Sequence, residues 1–300
     1  MFDVSAGVSA RQSFDSWAAF TGGLESEGVN RLWVIDSQLA MKDVYAGLTV
    51  AAMNTTSIGL GTGVTNAVTR HPSVTANAIA AVHEMSHGRA ILGLGAGDSA
   101  LYGIGLKPQK VAEVEEAIIY FRSRLEGIPI YLAVSQQRMC ELAGRLADGA
   151  IVMGPAQPDM VRRQVGWIRS QSGRDIEVAF IAPTSTALED VRSWASTQAR
   201  LLSHYKELPP SLERFRDEIA RSEHSYDYAK HLSTTAEHSE SVSDELVHAL
   251  GVVGAPEQCA SRLRELRECG VDAFIFPLAG RNRLERWRRL RTEVLDQIMV

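Results

Sequence analysis

Cysteine is scarce in this 300-residue chain, with three at Cys140, Cys259 and Cys269. An odd number at wide spacing is no disulfide framework, and no CxxC pair offers a metal its thiolates. Each sits among apolar residues in a stretch of helical pattern, so inert core thiols are expected. An excess of positive charge is missing as well: 31 lysines and arginines against 36 aspartates and glutamates leave a formal net charge of -5. Nothing there pulls the chain toward nucleic acid in general. The most basic stretch, Arg281–Arg291, carries Leu284, Trp287 and Leu290 at helical spacing and no aromatic stacking platform. It reads as an amphipathic helix with a solvated basic face. No run of about 18 apolar residues appears, so no membrane span is expected. No basic segment followed by an apolar one opens the chain, which leaves the cytoplasm as the expected compartment. Low-complexity stretches, dividing linkers, a GxSxG elbow and a catalytic-cysteine signature are also missing. Between Gly93 and Gly97 the glycines follow GxGxG, not GxGxxG, and Leu101–Pro108 delays the next helix, which excludes a Rossmann fingerprint.

What is present is alternation. With 45% hydrophobic and 22% charged residues, the composition is that of a globular protein large enough to build a core unaided. Strand-like runs are Phe2–Ser9, Arg31–Asp36, Ser57–Val64, Ala90–Gly97, Pro129–Ser135, Ala150–Gly154, Ile176–Ala182 and Ala273–Leu278. Several are apolar on both faces, as parallel strands under helices must be. Between them lie helical patterns with clear punctuation. Pro72 opens one that Gly88 stops, Pro108 opens one running through Phe121, and Pro256 opens one through Cys269 that Gly270 stops. Strict β/α order demands parallel strands with right-handed crossovers, and eight units close a (β/α)8 TIM barrel. The expectation is one barrel domain over residues 1–300. It is interrupted between the seventh and eighth strands by a mostly helical excursion at about 187–253. Such an excursion sits over the C-terminal mouth, where barrel active sites lie. It holds His204, His224, His231, His238 and His248. His231 and His238 share a helical face, but no third ligand at suitable spacing completes a metal site.

Gly59–Asp98 is the most informative segment. Two consecutive strands end in glycine and small residues at one face of the barrel: Gly61, Thr62, Gly63, Val64, then Gly93, Gly95, Ala96, Gly97, Asp98. Glycine there serves either close approach of a flat or phosphorylated ligand or tight packing of the strand ends. The stretch GTGVTNAVTRHPSVTANAIAAVHEMSHGRAILGLGAGD resembles the signature of luciferase-like oxidoreductases, in the branch of coenzyme F420-dependent methylenetetrahydromethanopterin reductase. IYLAVSQQRMCELAGRLADGAIVMG and VVGAPEQCASRLRELRECGVDAFIF resemble the same family, so the likeness covers most of the chain outside the excursion.

The resemblance implies a deazaflavin, coenzyme F420, bound at the mouth, with FMN as the alternative. In the run Trp33-Val34-Ile35-Asp36-Ser37, Asp36 matches an acidic residue near the ring, while Ser37 replaces the family's histidine. Thr62, Gly63 and Val64 match the strand end where the family has a non-proline cis peptide, placed here between Gly63 and Val64. Ala96, Gly97 and Asp98 match the place of a carboxyl group beside the reacting carbon, which makes Asp98 the expected acid and Asp36 a second catalytic carboxylate. Ala133, Val134, Ser135 and Gln136 match the backbone donors to the cofactor phosphate, with Ser135-Gln136-Gln137 replacing Gly-Gly-Pro; Gly154 lines the same channel.

Read from the residues alone, Asp98 and Asp36 have helix or turn caps as their alternative roles. His71 suits a loop-stabilising role, and Arg70 suits pairing with a carboxylate at a subunit contact. The expected function is hydride transfer between reduced deazaflavin and an electrophilic carbon of a small organic substrate. An FMN-dependent monooxygenase and a catalytically inactive cofactor-binding protein are the alternatives. Expected partners are a small molecule and a second copy of the chain, with Ala46, Ala51, Ala76 and Ala80 as a close-packing face; neither nucleic acid nor membrane is expected.

Overall fold

The computed structural model describes residues 3–228, 232 and 237–298. Its strands are β1 Asp3–Val8, β2 Arg31–Val34, β3 Gly59–Thr62, β4 Ala90–Leu94, β5 Ile130–Val134, β6 Gly149–Val152, β7 Glu177–Ile181, β8 Thr184–Ser185, β9 Val252–Val253 and β10 Ala273–Pro277. Eight of them, in the spatial order β1–β10–β7–β6–β5–β4–β3–β2, close into a parallel barrel with helices between successive strands. The chain is a (β/α)8 TIM barrel.

Side-chain alternation along each strand builds two shells. Leu32, Leu60, Leu92, Leu132, Ala150 and Val178 face outward into the apolar layer shared with the helices. Trp33, Ile91, Tyr131, Ile151, Ala179, Ala273 and Ile275 fill the interior, so the barrel is a packed core and not a pore. Register explains one of the glycines. Trp33 lies opposite Gly61, and a Cβ at 61 would stand 2.5 Å from the indole Cε3.

Helix ends obey their caps. The helix Pro72–Met85 has proline in its first turn and His71 as its N-cap, whose Nδ1 accepts from Ser73 N–H at 3.2 Å. The next long helix begins at Val111, three residues after Pro108, because Lys110 is its N-cap and donates its N–H to Glu113 at 2.6 Å. A short helix, Asp98–Tyr102, follows β4 before that long helix begins. The basic C-terminal helix, Arg283–Glu293, buries Trp287 and Leu290. Its outer arginines are answered within the chain: Arg286 and Arg289 by Asp190, Arg288 and Arg291 by Glu27. All three cysteines are buried, and burial pushes the Cys140 thiol up to about 12.

Between β7 and β10 runs the excursion, with helices Glu189–Ser203, Arg216–Ser225, Glu237–Glu240 and Asp244–Leu250 and a 3-10 turn at Pro210–Phe215. It has its own apolar core, including Ala195, Leu202, Leu212, Phe215, Ile219 and Leu246. The parallel pair β8–β9 staples its two ends together, with Thr184 opposite Val252. Of the alanines expected on a packing face, Ala46 and Ala80 are exposed, whereas Ala51 and Ala76 turn into the barrel core. Helical period places 46 and 51 on different sides of one helix, which the sequence reading overlooked. Among the described residues no helix is long and apolar enough to cross a membrane.

Candidate active site

Because all eight strands run parallel, the residues just beyond their C-terminal ends meet at one mouth. Asp36 follows β2, Gly63 and Val64 follow β3, Ala96, Gly97 and Asp98 follow β4, Ser135 and Gln136 follow β5, and Gly154 follows β6.

Asp36 is buried and fully engaged. Its carboxylate accepts from Thr65 Oγ1 at 2.7 Å, Gln38 Nε2 at 2.8 Å and Arg70 Nη1 at 2.6 Å. The same guanidinium reaches Asp43 at 2.7 Å and lies over the Tyr45 ring at 5.2 Å. Arg70 therefore finds its carboxylates inside its own chain, contrary to the subunit-contact reading. Burial raises Asp43, but the Ala46 N–H and the Arg70 guanidinium outweigh it and hold the group below its ordinary range.

The glycine-rich strand ends are spent on packing. Thr62 Oγ1 donates to the Gly93 carbonyl at 2.7 Å and accepts the Gly93 N–H at 2.9 Å, suturing β3 to β4. A Cβ at Gly93 would fall 2.0 Å from the Thr62 carbonyl, and one at Gly63 would fall 2.8 Å from Trp33 Cβ. The Gly63–Val64 peptide is cis. Gly97, at φ 89°, occupies the left-handed region that an L side chain rarely adopts. Beside it Asn66 is buried; its Oδ1 accepts from Val68 and Thr69 N–H, while its Nδ2 has no partner.

Asp98 opens the short helix and faces a residue that sequence reasoning did not find. Arg200, 1% exposed, grips both Asp98 oxygens, with Nη1–Oδ1 at 3.2 Å; the Asp98 side chain is 32% exposed. Arg200 stacks on Tyr226 and Tyr228 at 5.3 and 5.5 Å, and Tyr228 in turn packs on Tyr102. Burial pushes Tyr226 up to about 12 despite the Thr197 hydroxyl and Arg200. Arg200 comes from the excursion helix Glu189–Ser203, which crosses the mouth. Trp194 on that helix lines a cavity with Ile35 and Leu278, and just past its end Tyr205 donates to the Ser135 carbonyl at 3.2 Å.

At the end of β5 the Ser135 carbonyl also accepts from Gln164 Nε2 at 2.7 Å. Gln164 packs on Gly154, where a Cβ would meet its Oε1 at 3.0 Å. The following helix, Gln137–Leu146, starts without a side-chain cap, and Gln136, Gln137 and Arg138 are exposed. Ser37 is buried beside Asp36. His231 and the side chain of His238 lie outside the described residues, and among the described residues no cluster of three metal-ligating side chains forms.

Comparison with known proteins bears on the family and the fold. The family model for luciferase-like monooxygenase matches residues 1–127 and 107–273. The 5,10-methylenetetrahydromethanopterin reductase of Methanolobus tindarius is 31% identical over 283 residues, covering 84% of this chain and 86% of that protein. Its namesake from Archaeoglobus fulgidus is 28% identical over 286 residues, with 84% and 86% covered. Among solved structures, the coenzyme F420-dependent tetrahydromethanopterin reductase from Methanopyrus kandleri superimposes with a TM-score of 0.78 at 21% identity, over 98% of this chain and 99% of that one. An F420-dependent secondary alcohol dehydrogenase does so with a TM-score of 0.76 at 15% identity, over 98% and 99%. At such identities the structural likeness speaks for the fold.

Proposed function

The chain belongs to the luciferase-like monooxygenase family, and on that premise we propose that it is a coenzyme F420-dependent oxidoreductase acting on an electrophilic carbon of a small organic substrate. One observation carries the reading: a single mouth collects the engaged Asp36, the Gly63–Val64 peptide, the Asp98–Arg200 pair and an uncapped helix start. The residues present fit a deazaflavin. The buried, unpartnered Asn66 Nδ2 suits a ring carbonyl, and the half-buried Ala96 and Ala133 keep side-chain bulk small at the ends of β4 and β5. The exposed first turn at Gln136, Gln137 and Arg138 suits a phosphate, since its N–H groups and the helix dipole favour an anion. When bound, the deazaflavin supplies a two-electron hydride donor or acceptor.

The protein's own groups do the rest. Arg70 fixes the Asp36 carboxylate, which holds Thr65 and with it the turn after β3; Asp36 is in this reading a positioning residue. Asp98, its side chain one-third exposed, gives a proton from its carboxyl oxygen to the substrate atom that becomes anionic, or takes one back in reverse. Arg200 sets the Asp98 rotamer and stabilises the carboxylate left once the proton has gone. The helix Glu189–Ser203 covers the mouth and excludes water. A second copy of the chain fits the exposed Met53, Val74, Met85 and Ile119 on the helices after β2, β3 and β4. The protein is expected to purify colourless, and titrating it with oxidised deazaflavin is expected to quench the cofactor's fluorescence at one site per chain. A protein that emerges yellow with a flavin spectrum replaces this reading with the FMN-dependent one.

A further inference from the structure

Side-chain alternation sets a further layer above the packed interior of the barrel, and on the β10–β1–β2 side that layer is open. On β1, Val4, Ala6 and Val8 belong to the outer apolar layer, so Gly7 faces inward. Trp33 and Ile275 fill the interior, so Ile35 and Pro277, two residues further on, face inward too. Gly7 lies opposite both Pro277 and Trp33 in register and brings no side chain. At this place is a cavity of about 350 Å³, bordered by Gly7, Ile35, Pro277, Leu278 and, from the excursion helix, Trp194. Folded interiors leave few voids larger than a water, and about 300–1,000 Å³ is the size of a ligand pocket.

Its chemistry is mostly apolar. Its described lining has no carboxylate, imidazole, thiol or phenol, so its work is binding and not proton transfer. Two guanidiniums border it, and both are engaged. Arg283 donates to the Ser9 carbonyl at 2.8 Å and to Gln12 Oε1, with its charge 4.4 Å over the Phe20 ring, and Arg11 has a partner of its own. The walls left to meet a ligand are largely hydrocarbon, and apolar walls favour an apolar occupant.

We propose that this cavity takes the apolar, non-reacting part of a neutral substrate, with Trp194 and Ile35 as the residues that select it. Resting on the function proposed above, the inference makes the substrate an uncharged compound whose electrophilic carbon carries a hydrocarbon group, and it leaves proton transfer to Asp98.

The test titrates straight-chain methyl ketones, from butanone to octanone, onto the full-length protein without cofactor, by calorimetry. Affinity is expected to rise roughly threefold to fourfold with each added methylene. Trp194→Ala removes a wall and should weaken octanone at least tenfold but butanone less than about threefold, whereas a merely structural role would weaken both alike. Ile35→Trp fills the space and should abolish the rise with chain length. Trp194→Ala is open to loosening the excursion, and Ile35→Trp leaves that helix untouched, so the pair keeps the test decisive. Repeating the deazaflavin titration in saturating octanone separates substrate from cofactor. Unchanged cofactor affinity supports the proposal, and competition hands the cavity to the cofactor ring and overturns it. Equal affinity along the series, or no binding of octanone up to its solubility, overturns the proposal and leaves the proposed function standing. A rise with chain length in a protein that ignores deazaflavin would remove that function and leave this site.

Discussion

The two ends of the barrel handle charge in opposite ways. At the floor, Arg31 at the start of β2 donates to Glu177 at the start of β7 at 2.5 and 2.7 Å, meets Asp3 of β1 at 3.0 Å, and reaches the Tyr131 hydroxyl of β5 at 3.2 Å. All four are strand residues, and the network closes within the barrel. At the mouth, two carboxylates are answered from outside the strands: Asp36 by Arg70 of the β3 loop, and Asp98 by Arg200 of the excursion, 102 positions along the chain. Charges that close on the scaffold hold it together. Those that join the scaffold to its loops shape a site, so substitution should cost stability at one end and turnover at the other.

The largest effect is expected at the mouth. Asp98→Asn keeps size and one acceptor but removes the exchangeable proton, which is typically worth 10²–10⁴-fold in rate, or at least about 3 kcal/mol of barrier. Single-turnover hydride transfer should therefore fall at least about a hundredfold. Deazaflavin affinity, which the proposed function assigns to backbone groups at Val64, Ser135 and the following helix, should move by less than about 1 kcal/mol. A rate loss under about tenfold would reduce Asp98 to a tether for Arg200. The floor should answer differently. Arg31→Met strands Asp3 and Glu177 side by side. Removing one partner of a buried pair costs about 3–5 kcal/mol, and with these side chains 19–28% exposed about 2–3 kcal/mol is expected. Denaturant melts should register that loss while the folded variant keeps its Michaelis constant. A floor variant that damaged KM before stability would break the comparison.

How much of this was legible in the sequence follows the same division. Strand count, order and the shared mouth were readable because apolar periodicity and helix punctuation are local signals, and β/α order then fixes neighbours. Asp36, Val64, Asp98 and Ser135 fall at one mouth for that reason alone. Arg200 was not readable: its partner is set by how the excursion helix lies across the barrel, and no local pattern encodes that. Arg70 was noticed but given the wrong kind of partner, because the fold of the β3 loop decides which carboxylates it meets. The glycines carried an ambiguity that only register resolves. Gly61 and Gly63 make room for Trp33, and Gly93 makes room for the Thr62 carbonyl, so much of that small-residue signal is packing.

The smallest expected effect sharpens the comparison from the floor side. Glu25, near the end of the helix Phe14–Ser26, accepts the backbone N–H groups of Thr56 at 2.9 Å, Ser57 at 2.7 Å and Ile58 at 3.0 Å just ahead of β3. Burial alone would raise this carboxyl, but the three donors outweigh it and hold it below its ordinary 4.5. With the folded value depressed below the unfolded one, the group contributes stability above about pH 4.5. That contribution fades as pH falls through the lower folded value, where the native carboxylate takes up its proton. Glu25→Gln keeps one acceptor oxygen but no charge, so it should cost about 1 kcal/mol at neutral pH, since hydrogen bonds to a charged group are worth more than neutral ones. In a chain of this size that is about 2 °C in Tm. The gap between wild type and variant should close progressively as melts are run from pH 6 toward pH 3, because protonated glutamate and glutamine present the same single acceptor. Turnover at neutral pH should be unchanged, since Glu25 lies at the end of the barrel away from Asp98. A gap that stays constant with pH would mean that shape, and not charge, ties this loop to the floor.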